Sequence, residues 1–445
     1  MIIKNGLVAL PGKDDFFKLD IKIENGKIIK ITDNIADKNE VFDASGLFVF
    51  PGGIDPHVHF NDPGYTHNED FYHGSCAAAS GGITTIIDMP CTSNPPITNK
   101  ENLEKKLAVV QKKSVTDFGF FGGISAQSFK KGFPENVFEI SKKVLGLKTY
   151  LISGMETFGR LDRFQFKQVL QKVKDLNLPV LVHAEDYDYI QSATEFYKKQ
   201  GSSTKNYYLS RPETAEVLAV KTATEVARET GCELHIVHVS SAEAAEFLVK
   251  NKISFETAPH YLEFDISDFE RMGSALKTTP PVKSPENKAK LWQLLTDGKI
   301  NFVASDHAPS PKEKKNTGSI WTDYSGIPGT GTLIPYLFSE GFLKGRLSLQ
   351  RFIEVTSKNA ARKYGISHKK GSIEIGKDAD FVLIDPNKNW IVEGKNFLSK
   401  GKITPFEKSK FKGKIMKTIL RGKVIYDSEQ GITAKAGFGN FLLKE

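Results

Sequence analysis

The sequence predicts an α/β protein, a (β/α)8 TIM barrel with a small β-sandwich domain formed by both chain termini. Two observations predict this fold. Eight short apolar or β-branched runs alternate with helix-like segments through the middle of the chain, and short glycine-punctuated β segments occupy both ends. Eight strands that alternate with helices are the number that such a barrel requires.

The predicted barrel strands are six to nine residues long, and most are continuously apolar rather than alternating. Continuous apolar runs are typical of parallel strands that are covered on both faces. The eight runs are residues 47–55, 83–89, 118–124, 145–151, 179–184, 233–239, 253–258 and 301–306. Helical spacing of apolar residues predicts five intervening helices. These are residues 100–112, 164–176, 212–230, 241–250 and 285–296.

The two ends of the chain carry hairpin-like β patterns. Asn25-Gly26 lies between apolar residues, and Asn-Gly is a preferred dipeptide of two-residue hairpin turns. Further β-rich runs near the C-terminus are residues 381–384, 417–420 and 424–426. We therefore expect residues 1–50 and 371–445 to fold together as one composite β-domain beside a barrel of residues 51–370.

The composition is that of an ordinary globular protein, with 26% charged and 39% hydrophobic residues. Lys and Arg exceed Asp and Glu by 61 to 53, but they are spread along the chain, so we expect no nucleic-acid partner. No apolar run approaches the roughly 18 residues of a membrane helix, so we expect no membrane association. The first twenty residues are charged, so we expect no secretory signal there, and we expect the three cysteines to form no disulfide framework. The expected location is the cytoplasm.

Side chains that can bind metals occur at the C-terminal ends of several predicted strands, where the functional residues of such barrels lie. The first run leads into His57-Val58-His59, and side chains two residues apart on an extended segment point to the same side. The other strand-end residues are His183, His238 and Asp306. Zn²⁺ favours imidazole and carboxylate ligands, and Fe, Co and Mn are alternatives. We therefore expect a metal site at this rim of the barrel.

Lys148, in the fourth run, is the unusual member of this group. A protonated amine is no metal ligand. Carboxylation of the amine by CO₂ would create an anionic carbamate, whose two oxygens can bridge two cations. The alternative is a buried strand lysine that pairs with a carboxylate. Both interpretations stay open from the residues alone.

These motifs resemble those of the cyclic amidohydrolases, the group that contains dihydroorotase, allantoinase, hydantoinase and dihydropyrimidinase. The matching stretches are DPHVHF at 55–60, GLK at 146–148, LVHAE at 181–185, HVSS at 238–241 and SDHAP at 305–309. The resemblance runs over essentially the whole chain, and it implies two divalent metal ions and carboxylation of Lys148. The implied ligands are His57, His59, Lys148 and Asp306 for one ion and Lys148, His183 and His238 for the other.

The residues after His59 indicate the substrate within that group. Dihydroorotases usually carry an arginine two residues after the His-x-His motif, where it grips the substrate carboxylate. This chain has Asn61 there, and HFNDPG at 59–64 resembles allantoinase, whose substrate is an uncharged ureide. Cys91 and Ala308 depart from the allantoinase pattern. Allantoin is therefore the favoured substrate. The alternative functions are those of a dihydroorotase, of a hydantoinase or dihydropyrimidinase, and of a non-catalytic scaffold.

Asp306 is the expected catalytic residue. It would take a proton from the attacking water and pass it to the leaving ring nitrogen, so it acts as base and acid in turn. Candidate substrate contacts are Asn61, Ser153, His260 and Thr279. Asn61 can also be a turn residue and His260 a structural imidazole. By analogy with the family, we expect a homo-oligomer, a dimer or a tetramer, that acts on a small cyclic ureide or amide.

Overall fold

The computed structural model describes residues 1–36 and 40–445. Its strands are β1 (Ile2–Ala9), β2 (Phe16–Glu24), β3 (Lys27–Thr32), β4 (Val41–Asp43), β5 (Phe48–Pro51), β6 (Gly53–Val58), β7 (Ile83–Asp88), β8 (Asp117–Phe120), β9 (Gly122–Gly123), β10 (Leu147–Tyr150), β11 (Val180–His183), β12 (Leu234–Ile236), β13 (Ser254–Thr257), β14 (Phe302–Val303), β15 (Phe381–Ile391), β16 (Lys410–Leu420), β17 (Lys423–Asp427) and β18 (Gly431–Ile432).

The α-helices are α1 (Phe71–Ser80), α2 (Lys100–Val110), α3 (Ala126–Lys130), α4 (Glu135–Ile140), α5 (Arg163–Val173), α6 (Tyr187–Lys198), α7 (Thr204–Ser210), α8 (Glu213–Thr230), α9 (Ala242–Lys250), α10 (Pro259–Glu263), α11 (Ile266–Met272), α12 (Pro285–Thr296), α13 (Leu333–Tyr336), α14 (Leu349–Ile353) and α15 (Asn359–Lys363). Short 3₁₀ and π segments connect several of them. Across the described parts of the chain, no helix is both long and apolar enough to cross a membrane.

Strands β6 to β14 form the barrel. Parallel pairing joins β6, β7 and β8 in one group and β9 to β14 in another. The third predicted strand is divided at Phe121 into β8 and β9, so nine segments supply eight strand positions. A parallel bridge between Val58 and His307 connects the two ends of the barrel sheet. The predicted (β/α)8 fold is confirmed.

The five predicted helices are present, with small shifts at their ends, as α2, α5, α8, α9 and α12. α8 ends at Gly231, whose φ of 73° is a left-handed conformation that glycine adopts without strain. α12 begins after Ser284, whose hydroxyl oxygen accepts a hydrogen bond from the Asn287 amide. α1 has no counterpart among the predicted helices. Most of its residues are buried, so it lacks the polar face that creates a helical pattern.

The remaining strands form one nine-stranded sheet in the order β18-β17-β16-β15-β5-β1-β2-β3, and β4 pairs with β1. β5 is parallel to β1 and antiparallel to β15, so it joins strands from the two ends of the chain. Both termini therefore build one composite β-domain, as expected. The boundaries 1–50 and 371–445 stay a prediction, and residues 37–39 of the first segment lie outside the described residues.

The first predicted strand, residues 47–55, is wrong as a single element. Phe48–Pro51 is β5 of the nine-stranded sheet, whereas Gly53–Val58 is the first barrel strand, β6. The chain passes from one sheet to the other at Gly52, where a β-carbon would lie 2.3 Å from the Thr84 hydroxyl oxygen. This close approach divides an apolar run that looks continuous by hydropathy.

A buried ionic cluster lies where the barrel meets the β-domain. The Lys370 amine lies 2.6 Å from Asp117, 2.9 Å from Asp378 and 2.7 Å from Asp380. Arg421 also pairs with Asp117. Asp117 begins barrel strand β8, whereas the other four residues belong to the C-terminal part of the chain. Lys27, near the N-terminus, lies 2.6 Å from Asp378, so three carboxylates are matched by three cations. The cluster is therefore an ion-pair network that joins the two domains.

Candidate metal centre

Three predicted ligands meet at the carboxyl ends of the first and last barrel strands. His57 lies in β6, His59 follows that strand directly, and Asp306 follows β14. The Nε2 atoms of His57 and His59 lie 3.2 Å and 3.3 Å from the same oxygen, Asp306 Oδ1. The three side chains are close enough to offer one ligand atom each to a single ion.

His183 and His238 form a second group on neighbouring strands. His183 is the last residue of β11, and His238 lies two residues beyond β12. His183 Nδ1 lies 2.9 Å from His238 Nε2, and the His238 ring centroid lies 5.3 Å from that of His57. Among the described residues, His238 Nδ1 has no hydrogen-bond partner. The two groups of ligands therefore share one end of the barrel.

The backbone is strained at two of these ligands. His238 has a φ of 40° and Asp306 a φ of 49°, in the left-handed region that residues other than glycine rarely adopt. Such conformations persist only where the surrounding structure holds them, and they are concentrated at functional sites. His238 lies two residues beyond β12 and Asp306 three residues beyond β14, where the chain has left the strand and entered a loop.

Lys148 lies in β10, close enough to both groups to influence the pKa of His57 and of His183. Its side chain is fully buried, and its amine has no hydrogen-bond partner among the described residues. The amine lies 4.6 Å from the centroid of the Tyr150 ring. Burial lowers the pKa of Lys148 to about 8. Within residues 1–36 and 40–445 it forms no salt bridge, so the alternative of a structural ion pair is wrong.

Burial controls the protonation of the imidazoles. It lowers the pKa of His183 and lowers the pKa values of His57 and His238 further, so these three rings are neutral and able to act as ligands. Burial opposes ionisation of Asp306, but the neighbouring imidazoles outweigh it and hold the pKa of that carboxyl below its usual value. At His59, burial is outweighed by Cys91 and Asp306, which raise the pKa to about 10. A cation that binds His59 would therefore displace a proton.

Two buried glutamates orient these imidazoles, and neither was among the predicted site residues. Glu256 Oε1 lies 2.5 Å from His57 Nδ1, and Glu185 Oε2 lies 2.9 Å from His183 Nε2. Arg211 donates a hydrogen bond of 2.6 Å to the same Glu185 oxygen. A carboxylate behind a ligating histidine fixes the ring orientation. A charged residue inside the apolar run 253–258 is the sequence signal from which Glu256 could have been predicted.

Four of the predicted ligands, His59, His183, His238 and Asp306, line a cleft of about 550 Å³. Ser153 and Thr279 lie in its wall. The Ser153 hydroxyl donates a hydrogen bond of 2.7 Å to the Phe158 carbonyl. The Thr279 hydroxyl lies 3.1 Å from the hydroxyl of Tyr207, which also lines the cleft. Both predicted substrate contacts are therefore placed where a ligand can reach them.

The described residues that line this cleft do not include Asn61 or His260. The Asn61 amide donates a hydrogen bond of 2.8 Å to the His59 carbonyl, and Asn61 has a φ of 52°. It therefore acts as the turn residue of the alternative interpretation. His260 is buried, which lowers its pKa to about 4, and its Nε2 has no hydrogen-bond partner among the described residues. Substrate contact by either residue stays a prediction.

The side chains at this rim fit divalent metal ions. Unpaired buried polar atoms are costly, yet both the Lys148 amine and His238 Nδ1 lie here without partners. Neutral imidazoles and an ionised carboxylate are the donor set that Zn²⁺ and related ions prefer. A bound cation would supply a partner for the imidazole, whereas the amine could bind a cation only after chemical modification.

Comparison with known proteins agrees with this geometry. The chain is 35% identical to an allantoinase of Escherichia coli O139:H28 and 36% identical to one of Escherichia coli K12, with 100% of this chain and 98% of each relative covered. It resembles the solved L-hydantoinase (dihydropyrimidinase) from Arthrobacter aurescens, with a TM-score of 0.93, 31% identity, and 100% and 99% of the two chains covered. Dihydropyrimidinase from Brevibacillus agri gives a TM-score of 0.91 and 27% identity, with 100% and 98% covered.

The family itself is defined by a match that spans most of the sequence. Residues 48–425 match the amidohydrolase family, a segment that runs from β5 to β17 and includes every candidate ligand described above. The predicted resemblance to the cyclic amidohydrolases is confirmed. The chain belongs to the amidohydrolase family.

Proposed function

We propose that the protein hydrolyses a ring amide bond of a cyclic ureide, with allantoin as the substrate and allantoate as the product. The observation that carries this proposal is that the Nε2 atoms of His57 and His59 both lie within 3.3 Å of Asp306 Oδ1. Beside them lies the buried Lys148, which has no ion-pair partner in the described chain. Full-length similarity to allantoinases supports the choice of substrate.

The site would hold two divalent metal ions, with Zn²⁺ as the first candidate. Carboxylation of the Lys148 amine would let this residue bridge the two ions. When bound, such ions lower the pKa of a water molecule and polarise a carbonyl group. The proposed ligands are His57, His59, Lys148 and Asp306 for one ion and Lys148, His183 and His238 for the other.

Asp306 carries the proton transfers in this proposal. The neighbouring imidazoles, which include the protonated ring of His59, hold its carboxylate ionised, so it can accept a proton from the attacking water. The water oxygen forms a bond to the ring carbonyl carbon, and the carbon–nitrogen bond then breaks. The same carboxyl group gives its proton to the departing nitrogen. The products are a carboxylic acid, which releases its remaining proton to solvent and becomes a carboxylate, and a ureido nitrogen that has gained one hydrogen.

Other side chains place the reacting groups. Glu256 and Glu185 hold the rings of His57 and His183 from behind, at 2.5 Å and 2.9 Å. Ser153 and Thr279 lie in the wall of the cleft and have hydroxyl groups that can bind the ureide. A cytoplasmic location and a dimeric or tetrameric assembly stay predictions.

Ring-opening assays with the metal-loaded protein test the proposal. Allantoin, dihydroorotate and hydantoin are offered side by side, because the relatives include allantoinases and the structural neighbours include hydantoinases. We expect kcat/KM for allantoin to exceed the other values by about 10-fold or more. Asp306→Asn is expected to lower kcat by roughly 10²- to 10⁴-fold. Preference for dihydroorotate, or no ring opening at all, would overturn the assignment.

A further inference from the structure

The cleft is lined by a buried lysine, Lys277, that the proposed reaction does not use. Lys277 follows a 3₁₀ turn at Gly273–Leu276 and lies two residues before Thr279. Its exposed fraction is only 3%, and it lines the same cleft as Asp306 and His59. A lysine is rarely buried to this degree unless it is paired.

The Lys277 amine has a backbone partner and no carboxylate. It donates a hydrogen bond to the main-chain carbonyl of Asp323. The Asp323 carboxylate instead accepts hydrogen bonds from Ser274 and Thr317. Within the described chain no acidic side chain lies within salt-bridge distance of the Lys277 amine. An ammonium group has three hydrogens to donate, so most of its capacity is available to a ligand.

The other cations that line the cleft are in different situations. Arg211 is neutralised by Glu185 at 2.6 Å. Lys198 is exposed at the mouth of the cleft, with its amine 5.7 Å from the Trp321 ring centroid. Of the lysine and arginine side chains that line the described cleft, Lys277 is therefore the buried one without a carboxylate partner.

The surface beside Lys277 is held in place by aromatic and hydroxyl groups. The Lys277 amine lies 4.8 Å from the centroid of the Tyr207 ring. The Tyr207 hydroxyl lies 3.1 Å from the Thr279 hydroxyl and 3.4 Å from that of Ser325. A rigid, polar wall with one buried positive charge suits an oxygen acceptor and disfavours an apolar substituent.

We propose that Lys277 is a specificity-determining residue that binds an oxygen atom on the substituent of the substrate ring. In allantoin this atom is the carbonyl oxygen of the exocyclic ureido group; in dihydroorotate a carboxylate would take its place. The inference rests on the proposed function, since it concerns the same cleft. Lys277 would distinguish between substrates by the substituent on the ring and would take no part in breaking the carbon–nitrogen bond.

The test compares Lys277→Met, which keeps the length of the side chain, with Lys277→Arg, which keeps the charge. Both are assayed as metal-loaded enzymes on allantoin, dihydroorotate and unsubstituted hydantoin. A charge-assisted hydrogen bond predicts that Lys277→Met raises KM and lowers kcat/KM for a substituted ring by about 10- to 100-fold. Hydantoin kinetics should change by less than about 3-fold, because hydantoin lacks the substituent. Lys277→Arg should retain most of the selectivity.

The outcomes separate the two proposals. Loss confined to allantoin identifies the ureido oxygen as the ligand, and loss confined to dihydroorotate identifies a carboxylate. Equal losses on hydantoin and on the substituted rings, or no loss, overturn the inference while ring hydrolysis stands. A wild-type protein that opens no ring overturns the proposed function and this inference with it.

A measurement on the wild-type enzyme covers the case in which Lys277→Met does not fold. Hydantoin-5-acetate and 5-propylhydantoin are compared as competitive inhibitors of ring opening. They have the same ring and substituents of similar size, but only the first carries a carboxylate. We expect it to bind at least about 10-fold more tightly, as a charged hydrogen bond would require. Equal inhibition constants would contradict the role of Lys277.

Discussion

His57 and Glu256 form a contact of 2.5 Å between two fully buried side chains that are 199 residues apart in the sequence. Glu256 occupies His57 Nδ1, so His57 Nε2 faces Asp306 at 3.2 Å. The other Glu256 oxygen lies 3.3 Å from His235 Nε2. A buried carboxylate on β13 thus determines which nitrogen of a β6 histidine is offered to a metal ion.

Glu256→Gln is therefore expected to weaken metal binding. Loss of the charged partner leaves the orientation and basicity of His57 less well defined, and the affinity for Zn²⁺ should fall by about 10- to 100-fold. The measurement is a competition titration of metal-free protein against a chelator of known affinity. Glu233→Gln, at an exposed residue paired with Lys363 at 2.6 Å, is the matched control and should leave affinity unchanged. Equal affinities of wild type and Glu256→Gln would show that the contact has no such role.

Lys148→Arg should bind fewer metal ions than the wild type. The guanidinium group stays protonated and cannot be carboxylated, so the proposed bridging ligand is lost. Protein loaded with zinc and ¹³C-labelled bicarbonate is examined by ¹³C NMR and elemental analysis. We expect a carbamate signal in the wild type, none in Lys148→Arg, and a lower metal content in the variant. The exposed Lys105→Arg serves as the control. A wild type that lacks a carbamate would refute the proposed carboxylation.

Glu216 makes the stability of the metal-free protein depend on pH. Burial raises its pKa from 4.5 in the unfolded reference to about 7, although Lys283 and hydrogen bonds from Ser240 oppose the shift. The native protein therefore keeps a proton between pH 4.5 and 7 that the unfolded chain has released. The free energy of unfolding should fall as the pH rises through this interval.

Glu216→Gln removes this titration. Denaturant unfolding at pH 5 and pH 8 is expected to show that the loss of stability with rising pH is smaller in the variant than in the wild type, by roughly 2 kcal/mol. Glu225→Gln, at an exposed residue of the same helix, should reproduce the wild-type dependence. A pH dependence that is the same in Glu216→Gln and wild type would contradict the assignment to this carboxyl group.

Lys370→Met should destabilise the junction between the barrel and the β-domain. It would leave Asp380 buried without a cation, whereas Asp117 keeps Arg421 and Asp378 keeps Lys27. Removal of one partner of a buried ion pair costs about 3–5 kcal/mol. Thermal unfolding measures the effect. Lys395→Met is the control, because that side chain is exposed and its pair with Glu393, at 3.5 Å, should contribute less than about 1 kcal/mol. An equally small change in both variants would show that the cluster contributes little.

The candidate ligands other than Lys148 were accessible to sequence reasoning because each lies at the end of a strand or a few residues beyond it. His57 and His59 are two residues apart on an extended segment, which places them on one side by local geometry alone. His183, His238 and Asp306 end or follow apolar runs that were long enough to be recognised as strands. The alternation of such runs with helices also determined the barrel fold.

Other features depended on contacts that have no local pattern. Residues 47–55 form one apolar run, yet the close approach of Gly52 to Thr84 divides it between two sheets. Asn61 was expected in the substrate site, but its amide bonds the His59 carbonyl two residues away. Lys277 could not be distinguished from the many surface lysines, because only the folded cleft buries it without a carboxylate partner in the described chain.

The sequence by itself determined the order of the strands and helices, because each element follows from the pattern of apolar residues within its own segment. It also determined which side chains reach the rim of the barrel, because these lie at or near the ends of the predicted strands. The tertiary structure alone decided which buried carboxylates support the histidines and which lysines are left without a carboxylate. Those properties arise when strands distant in the chain close into a ring and exclude water. The burial of a charged side chain and the identity of its hydrogen-bond or ion-pair partner then depend on residues that are close in space rather than close in sequence.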